Sequence, residues 1–287
     1  MNVRTWRPYL SILVLLATVT FFVYFFVKHP VVRAQLEHTS PAALGLLLLI
    51  YLGTVVALAM INDATLRLCK VELGASESLL LTAYSSIINF FGPLQSGPAF
   101  RAVYLKKKYG LNLKNYTIAT FMYYFFFACF SGLFLLSSIL KGWLIVLALA
   151  GLFLALLARQ NSWVKARLQA LDLRSWYYLA LATFLQVGLV ALIYYIELKN
   201  VAPGTHFTQS LVYTGAANLA LFVSLTPGAI GFREAFLLFS QRLHHISSST
   251  IVAANIVDRA MYISLLLILA LFIFGTHAQR QFKVRQN

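Results

Sequence analysis

Residues 90–101 read FFGPLQSGPAFR, and residues 223–234 read VSLTPGAIGFRE. Each ends an apolar stretch, 76–91 in the first case and 208–226 in the second, with a proline and, four residues later, a glycine: Pro93 with Gly97 and Pro227 with Gly231. Proline removes an N–H from the helical ladder and clashes with the preceding turn, so a helix stops or kinks there. In hydrocarbon each backbone group left unpaired costs several kcal/mol, so broken backbone survives only against protein or a wet cavity. The two interruptions, Gly92 to Pro98 and Thr226 to Gly231, predict an interior site if the chain lies in a membrane.

The similarity of the two stretches extends outward. Ser78 to Thr82 (SLLLT) matches Ser210 to Thr214 (SLVYT), and Thr117-Ile118 and Thr250-Ile251 each open a long apolar run at comparable distances beyond the prolines. The series of short helix, break, half helix, linker and long helix therefore reads as an internal duplication, with halves at about 76–138 and 208–275.

Composition supplies the membrane. The 287 residues are 60% hydrophobic and 11% charged, with a mean hydropathy of +0.78, too little polar material to cover a soluble body of this size. Six stretches, 9–27, 41–61, 116–138, 142–158, 175–197 and 249–275, hold the ~20 apolar residues that cross a bilayer. The fold class expected is all-α: one polytopic membrane domain over 1–287, with six full spans and two re-entrant hairpins. The first run lacks a small-x-small cleavage site and reads as an uncleaved helix. Cys69 and Cys129 are too few for a disulfide framework.

The excess of 23 Lys and Arg over 8 Asp and Glu reads as orientation in the bilayer rather than nucleic-acid binding. With both termini cytoplasmic, sixteen of the 23 fall on inner segments and five on outer loops, while Arg233 and Arg259 stay in the membrane. Three crossings then separate the two hairpins, so the repeat is inverted. Charge alone leaves open the version in which each broken segment makes two full crossings.

Candidate site residues follow from cost. Arg233, Glu234, Asp258 and Arg259 stand in apolar surroundings, at ~2.5–3.5 kcal/mol each, so they are expected to face inward and pair. Sequence neighbours point apart on a helix, which predicts Arg233 with Asp258 and Glu234 with Arg259. That pairing serves either a clasp of the second hairpin or direct contact with substrate. Pro98 suits the first turn of a helix, and a helix starting near Phe232 offers free N–H groups to an anion, although simple kinks would use the same residues. Arg101 is shaped for a phosphate. Asn89 and Asn218 are polar positions on the short helices. The run Lys106 to Lys108 reads as a solvated stop signal attracted to anionic lipid. Trp163, Val164, Leu168 and Leu171 share one helical face, suggesting an interfacial segment at 159–174. The aromatic run Tyr123 to Phe127 goes round the whole helix and reads as lipid-facing. His244-His245 lacks a third ligand, so no metal site is expected, and no cofactor motif stands out.

Pro93, Gly97 and Arg101 form P-x-x-x-G-x-x-x-R, and Pro227, Gly228, Gly231, Arg233 and Glu234 form P-G-x-x-G-x-R-E. This pair of motifs resembles the flippase-like family, the transmembrane region of lysylphosphatidylglycerol synthases and its stand-alone relatives. The resemblance covers roughly 10–275 and implies a lipid-handling membrane domain. Two positions depart from the family: Pro98 replaces a frequent Glu, and Phe125-Phe126 an acidic-Arg pair, which makes the first half of the site less charged. The expectation is a lipid translocase or lipid-binding transporter of the cell membrane, without enzymatic activity, for an anionic phospholipid or polyprenyl-type lipid. An intramembrane lipid-modifying enzyme using Asp63 or Glu234, or a scaffold for a separate synthase or glycosyltransferase, stands as the alternative.

Overall fold

The computed structural model describes residues 39–91, 96–140, 173–223 and 232–285, with isolated positions at 20, 24, 27, 28 and 30, and every regular element among them is an α-helix. The expected spans 9–27 and 142–158, nearly all of segment 159–174, and the break residues Pro93, Pro227, Gly228 and Gly231 lie outside the described residues apart from those isolated positions.

Helix α1 spans Pro41–Leu68, opened by Ser40, whose hydroxyl accepts from the Ala43 N–H at 3.2 Å, and by Pro41 at the first position. It closes on Lys70, a non-glycine residue at φ 58°. Helix α2 runs Ala75–Phe91 and α3 Ser96–Tyr109, so Pro98 sits in the first turn of α3, where its missing N–H costs nothing. Gly110, at φ 66°, turns the chain into α4, Leu113–Leu135, which Asn112 caps through the N–H groups of Lys114 and Asn115. A single turn, α5, covers Ser137–Leu140.

The order then recurs. Helix α6 spans Leu173–Val201, α7 Phe207–Val223, α8 Phe232–Phe239, α9 the short Gln241–His244, and α10 Ser248–Arg285. Helices α1 and α6 have 28 and 29 residues, and α2 and α7 have 17 each. The long helix ahead of α2 and the one ahead of α7 both lie outside the halves read from sequence, about 76–138 and 208–275.

Four of the described helices, at Pro41–Leu68, Leu113–Leu135, Arg174–Val201 and Ser248–Thr276, are long and apolar enough to cross a membrane. They correspond to four of the six expected spans. By contrast α8, with 8 residues, is only about 12 Å long and cannot cross a ~30 Å core.

Helices α1 and α6 lie against each other at the centre, α2 packs on α10, and α7 packs on α4, so the leading helix of each hairpin rests on the long helix of the other half. One apolar cluster joins α1, α2, α6 and α10 through Ile50, Val55, Ile87, Ile193, Val257 and Leu266. A second joins α6, α7, α8 and α10 through Leu198, Tyr213, Leu237 and Ala254. Small residues set the closest approaches. A Cβ on Gly215 would meet the Ser131 carbonyl at 2.5 Å and the Leu135 backbone, and one on Gly97 would meet the Ser85 carbonyl at 2.6 Å.

A polar cavity between the two halves

Six of the eight described residues singled out from sequence, Asn89, Arg101, Asn218, Arg233, Asp258 and Arg259, line one cavity of ≈ 270 Å³. They come from α2, α3, α7, α8 and α10, and Pro98 lines it too. Gly97 and Glu234 do not form its wall but hold residues that do.

The α2–α3 side is built by short capping contacts. Asn89 Oδ1 accepts the Gly97 N–H at 3.3 Å, and the Ser96 hydroxyl donates to the Ile88 carbonyl at 3.0 Å. The absence of a Cβ on Gly97 lets α3 start directly against α2. One turn on, Arg101 reaches the cavity and donates from Nε to the Tyr116 hydroxyl at 3.3 Å. Among the described residues no carboxylate pairs with Arg101. On the α7 side, Asn218 donates to the Ser131 hydroxyl of α4 at 3.2 Å.

The α8–α10 side is an ion-pair network. Arg233, nine-tenths buried, pairs with Asp258 and donates to the Tyr194 hydroxyl and to Asn255 Oδ1, both at 3.0 Å. Arg259 pairs with Glu234 at 2.9 Å. Both expected cross-pairs are therefore present. The helical offset explains them, because Arg233 and Glu234 leave α8 in different directions and meet Asp258 and Arg259 on neighbouring faces of α10.

Four participants, Tyr51, Glu197, Tyr194 and Asn255, were not singled out from sequence. Tyr51 donates to Asp258 Oδ1 at 2.7 Å and lies 3.4 Å from Glu197 Oε1. Glu197 is completely buried. Tyr194 receives the Arg233 bond. Glu197 stands near the end of a predicted span, with Lys199 following, and so reads as interfacial. An acid within a turn of an apolar run was the available signal.

The aromatic run behaves differently from expectation. Phe125 is 52% exposed, but Tyr123, Tyr124 and Phe127 line the cavity. Helix α4 carries aromatics all round because one face meets the cavity and the other the exterior. Tyr123 is fixed there by Gln186 Oε1 at 3.2 Å.

Outside the spans, Glu77 gathers Lys108 Nζ at 2.6 Å and the hydroxyls of Tyr104 at 2.7 Å and Tyr109 at 2.8 Å. Partial burial pushes the Glu77 carboxyl up, but the bonds from Lys108 and the two tyrosines outweigh it and hold it below the usual glutamate value. His244 is buried, which lowers its pKa, and the neutral ring donates from Nε2 to the Leu237 carbonyl and accepts the Ile246 N–H on Nδ1. Asp63 pairs with Arg67 at 2.9 Å and does not line the cavity.

An all-helical body with four helices long and apolar enough to cross a membrane, and a polar, arginine-bearing cavity among its helices, defines a multi-pass integral membrane protein. The sequence profile of the family described as lysylphosphatidylglycerol synthase TM region matches residues 10–270, and the chain belongs to that family. No curated protein matches it.

Proposed function

We propose that the protein is a lipid translocase or lipid-binding transporter of the cell membrane, acting on an anionic phospholipid or polyprenyl-type lipid. The observation that carries this reading is the ≈ 270 Å³ cavity, where Arg101 has no carboxylate partner among the described residues. That volume lies just below the ~300–1,000 Å³ of ordinary ligand pockets, so it suits a head group rather than a whole lipid. The acyl chains stay in the bilayer. Arg101 forks onto a phosphate, the positive end of the α3 dipole adds to the attraction, and Asn89 and Asn218 offer hydrogen bonds. In this reading the hairpins α2–α3 and α7–α8 are re-entrant, enter from opposite faces and leave both termini cytoplasmic. The head group passes between them while the long helices hold their positions.

An enzymatic reading has less support. Its two carboxylates are engaged elsewhere, Asp63 with Arg67 and Glu234 with Arg259.

The test uses purified protein in vesicles of phosphatidylcholine with a trace of fluorescent phosphatidylglycerol, and scores its exposure to a membrane-impermeant quencher. Arg101→Ala is the informative variant, because Arg233→Ala would also strand Asp258. We expect movement to slow by tenfold or more, with unchanged elution and melting temperature. Unchanged movement removes Arg101 from the path.

A further inference from the structure

The buried carboxylates outnumber the cation between them. Glu197 and Asp258 both approach the Tyr51 hydroxyl, at 3.4 and 2.7 Å, and Arg233 is the guanidinium of this cluster. Arg233 is committed to Asp258, Tyr194 and Asn255. Glu197 is fully buried, and its Oε2 has no hydrogen-bond partner among the described residues. The groups around it are Tyr51 of α1, Asp258 of α10, Tyr213 of α7, edge-on to Tyr194 at 5.2 Å, and Arg233 of α8, which reaches α6 through its bond to Tyr194. Helix α4 directs Tyr123 to Gln186, about three turns away along α6.

A tyrosine has one hydroxyl proton. At 2.7 Å that proton belongs to Asp258, which leaves Glu197 without a donor. An ionised carboxylate with no donor in such a place costs several kcal/mol, whereas the neutral acid needs only one acceptor. The Tyr51 oxygen supplies it. The chain is then Glu197 O–H to Tyr51 oxygen, Tyr51 O–H to Asp258, and Asp258 to Arg233, with every charge paired.

We propose that Glu197 is a proton-binding site, occupied when the cavity is ready to receive an anion, so that one proton and one anionic head group bind together. The proton comes from water and returns to water. When Glu197 ionises, its added negative charge lowers the potential that holds an anion in the cavity; when it is neutral, the net charge of the cluster is one unit more positive. The coupling rests on the translocation reading above, while the proton site does not.

Infrared difference spectra of the purified full-length protein, taken from mildly acidic to alkaline pH in H2O and D2O, read the proton directly. We expect a carboxylic-acid carbonyl band that shifts in D2O, disappears as pH rises, and is missing in Glu197→Gln. Glu197→Asp should keep the band at a changed frequency. Asp258→Asn should abolish it, because Glu197 then becomes the counter-ion of Arg233. No such band in the wild type, or a band that survives Glu197→Gln, overturns the proposal. The vesicle assay with fluorescent phosphatidylglycerol adds the coupling. Wild-type movement should fall by up to about tenfold per pH unit above the titration, the limit for one proton, and Glu197→Gln should flatten that dependence. An unaltered pH dependence in Glu197→Gln refutes the coupling. A titrating band without lipid movement at any pH supports the proton site and sinks the translocation reading instead.

Discussion

The two hairpins match in the length and packing of their leading helices but not in electrostatics. The α2–α3 side has Arg101, held by a tyrosine hydroxyl, and no acidic residue in the first turn of α3. The α7–α8 side has Glu234 in the first turn of α8, and both of its arginine contacts, Arg233 and Arg259, end on carboxylates. An acidic side chain there satisfies the positive helix end that would otherwise attract an anion. The second side is therefore closed upon itself and the first is open. Stability should depend on the second and ligand attraction on the first.

The strongest way to break this comparison is Asp258→Ala. It removes the carboxylate that pairs with Arg233, at a cost of up to ~3–5 kcal/mol that ionisation of Glu197 offsets only in part, and Tyr51 loses its acceptor. Thermal unfolding in detergent should show a large loss. The double variant Arg233→Met with Asp258→Leu should recover most of it, since replacing a whole buried pair by apolar residues is often near neutral. Failure to recover would mean that the pair does more than clasp α8 to α10. Arg101→Ala, by contrast, should change stability by no more than ~0.5 kcal/mol, because it removes one long hydrogen bond at a half-buried position.

A middle-sized effect is expected at the joint of the first hairpin. Gly97→Val places a branched side chain against the Ser85 carbonyl and hydroxyl, which a Cβ alone would meet at 2.6 and 2.7 Å. Both belong to α2, so the strain falls on the helix–helix contact, at ~1–3 kcal/mol. It should also displace the Gly97 N–H from Asn89 and so move Arg101 out of register. Reduced lipid movement together with reduced melting temperature is the expected result. Loss of stability alone would show that Arg101 keeps its place without the Asn89 contact.

What could be read in advance follows the same division. The cross-pairs of Arg233, Glu234, Asp258 and Arg259 were legible because charge in hydrocarbon is expensive and must be matched, and neighbours on a helix cannot match each other. The place of Pro98 in the first turn of α3 was legible from proline chemistry, whereas the helix begins at Ser96, inside the break read as Gly92 to Pro98. Tyr51 and Glu197 were not. A tyrosine in an apolar run reads as packing or an interface anchor. A glutamate two residues before a lysine reads as the end of a span. Their role arises from the packing of α1 on α6, a long-range contact between two helices with no local pattern marking their shared face. The aromatic run on α4 misled for a related reason: a helix apolar on all sides gives no sign of which side faces a cavity.

The smallest effect tests whether the comparison extends to the ends of the helices. Glu77 is bound by Lys108, Tyr104 and Tyr109, which ties the end of α3 to the start of α2. Its carboxyl titrates below the ordinary value in the folded protein, so the unfolded chain takes up the proton first. The stabilisation is therefore complete above the unfolded glutamate value and is lost as pH falls through the lower, folded one. Lys108 is 44% exposed at its side chain, so solvent screens the pair, and its contribution should stay below about 1 kcal/mol. Melting temperatures measured from about pH 6 down to about pH 3, at low and high salt, should fall slightly more for the wild type than for Glu77→Gln, the gap closing in salt. A wild-type advantage over Glu77→Gln that grows as the pH falls would reverse the sign and remove Glu77 as the tie. The open hairpin would then owe its position to Gly97 and Asn89 alone.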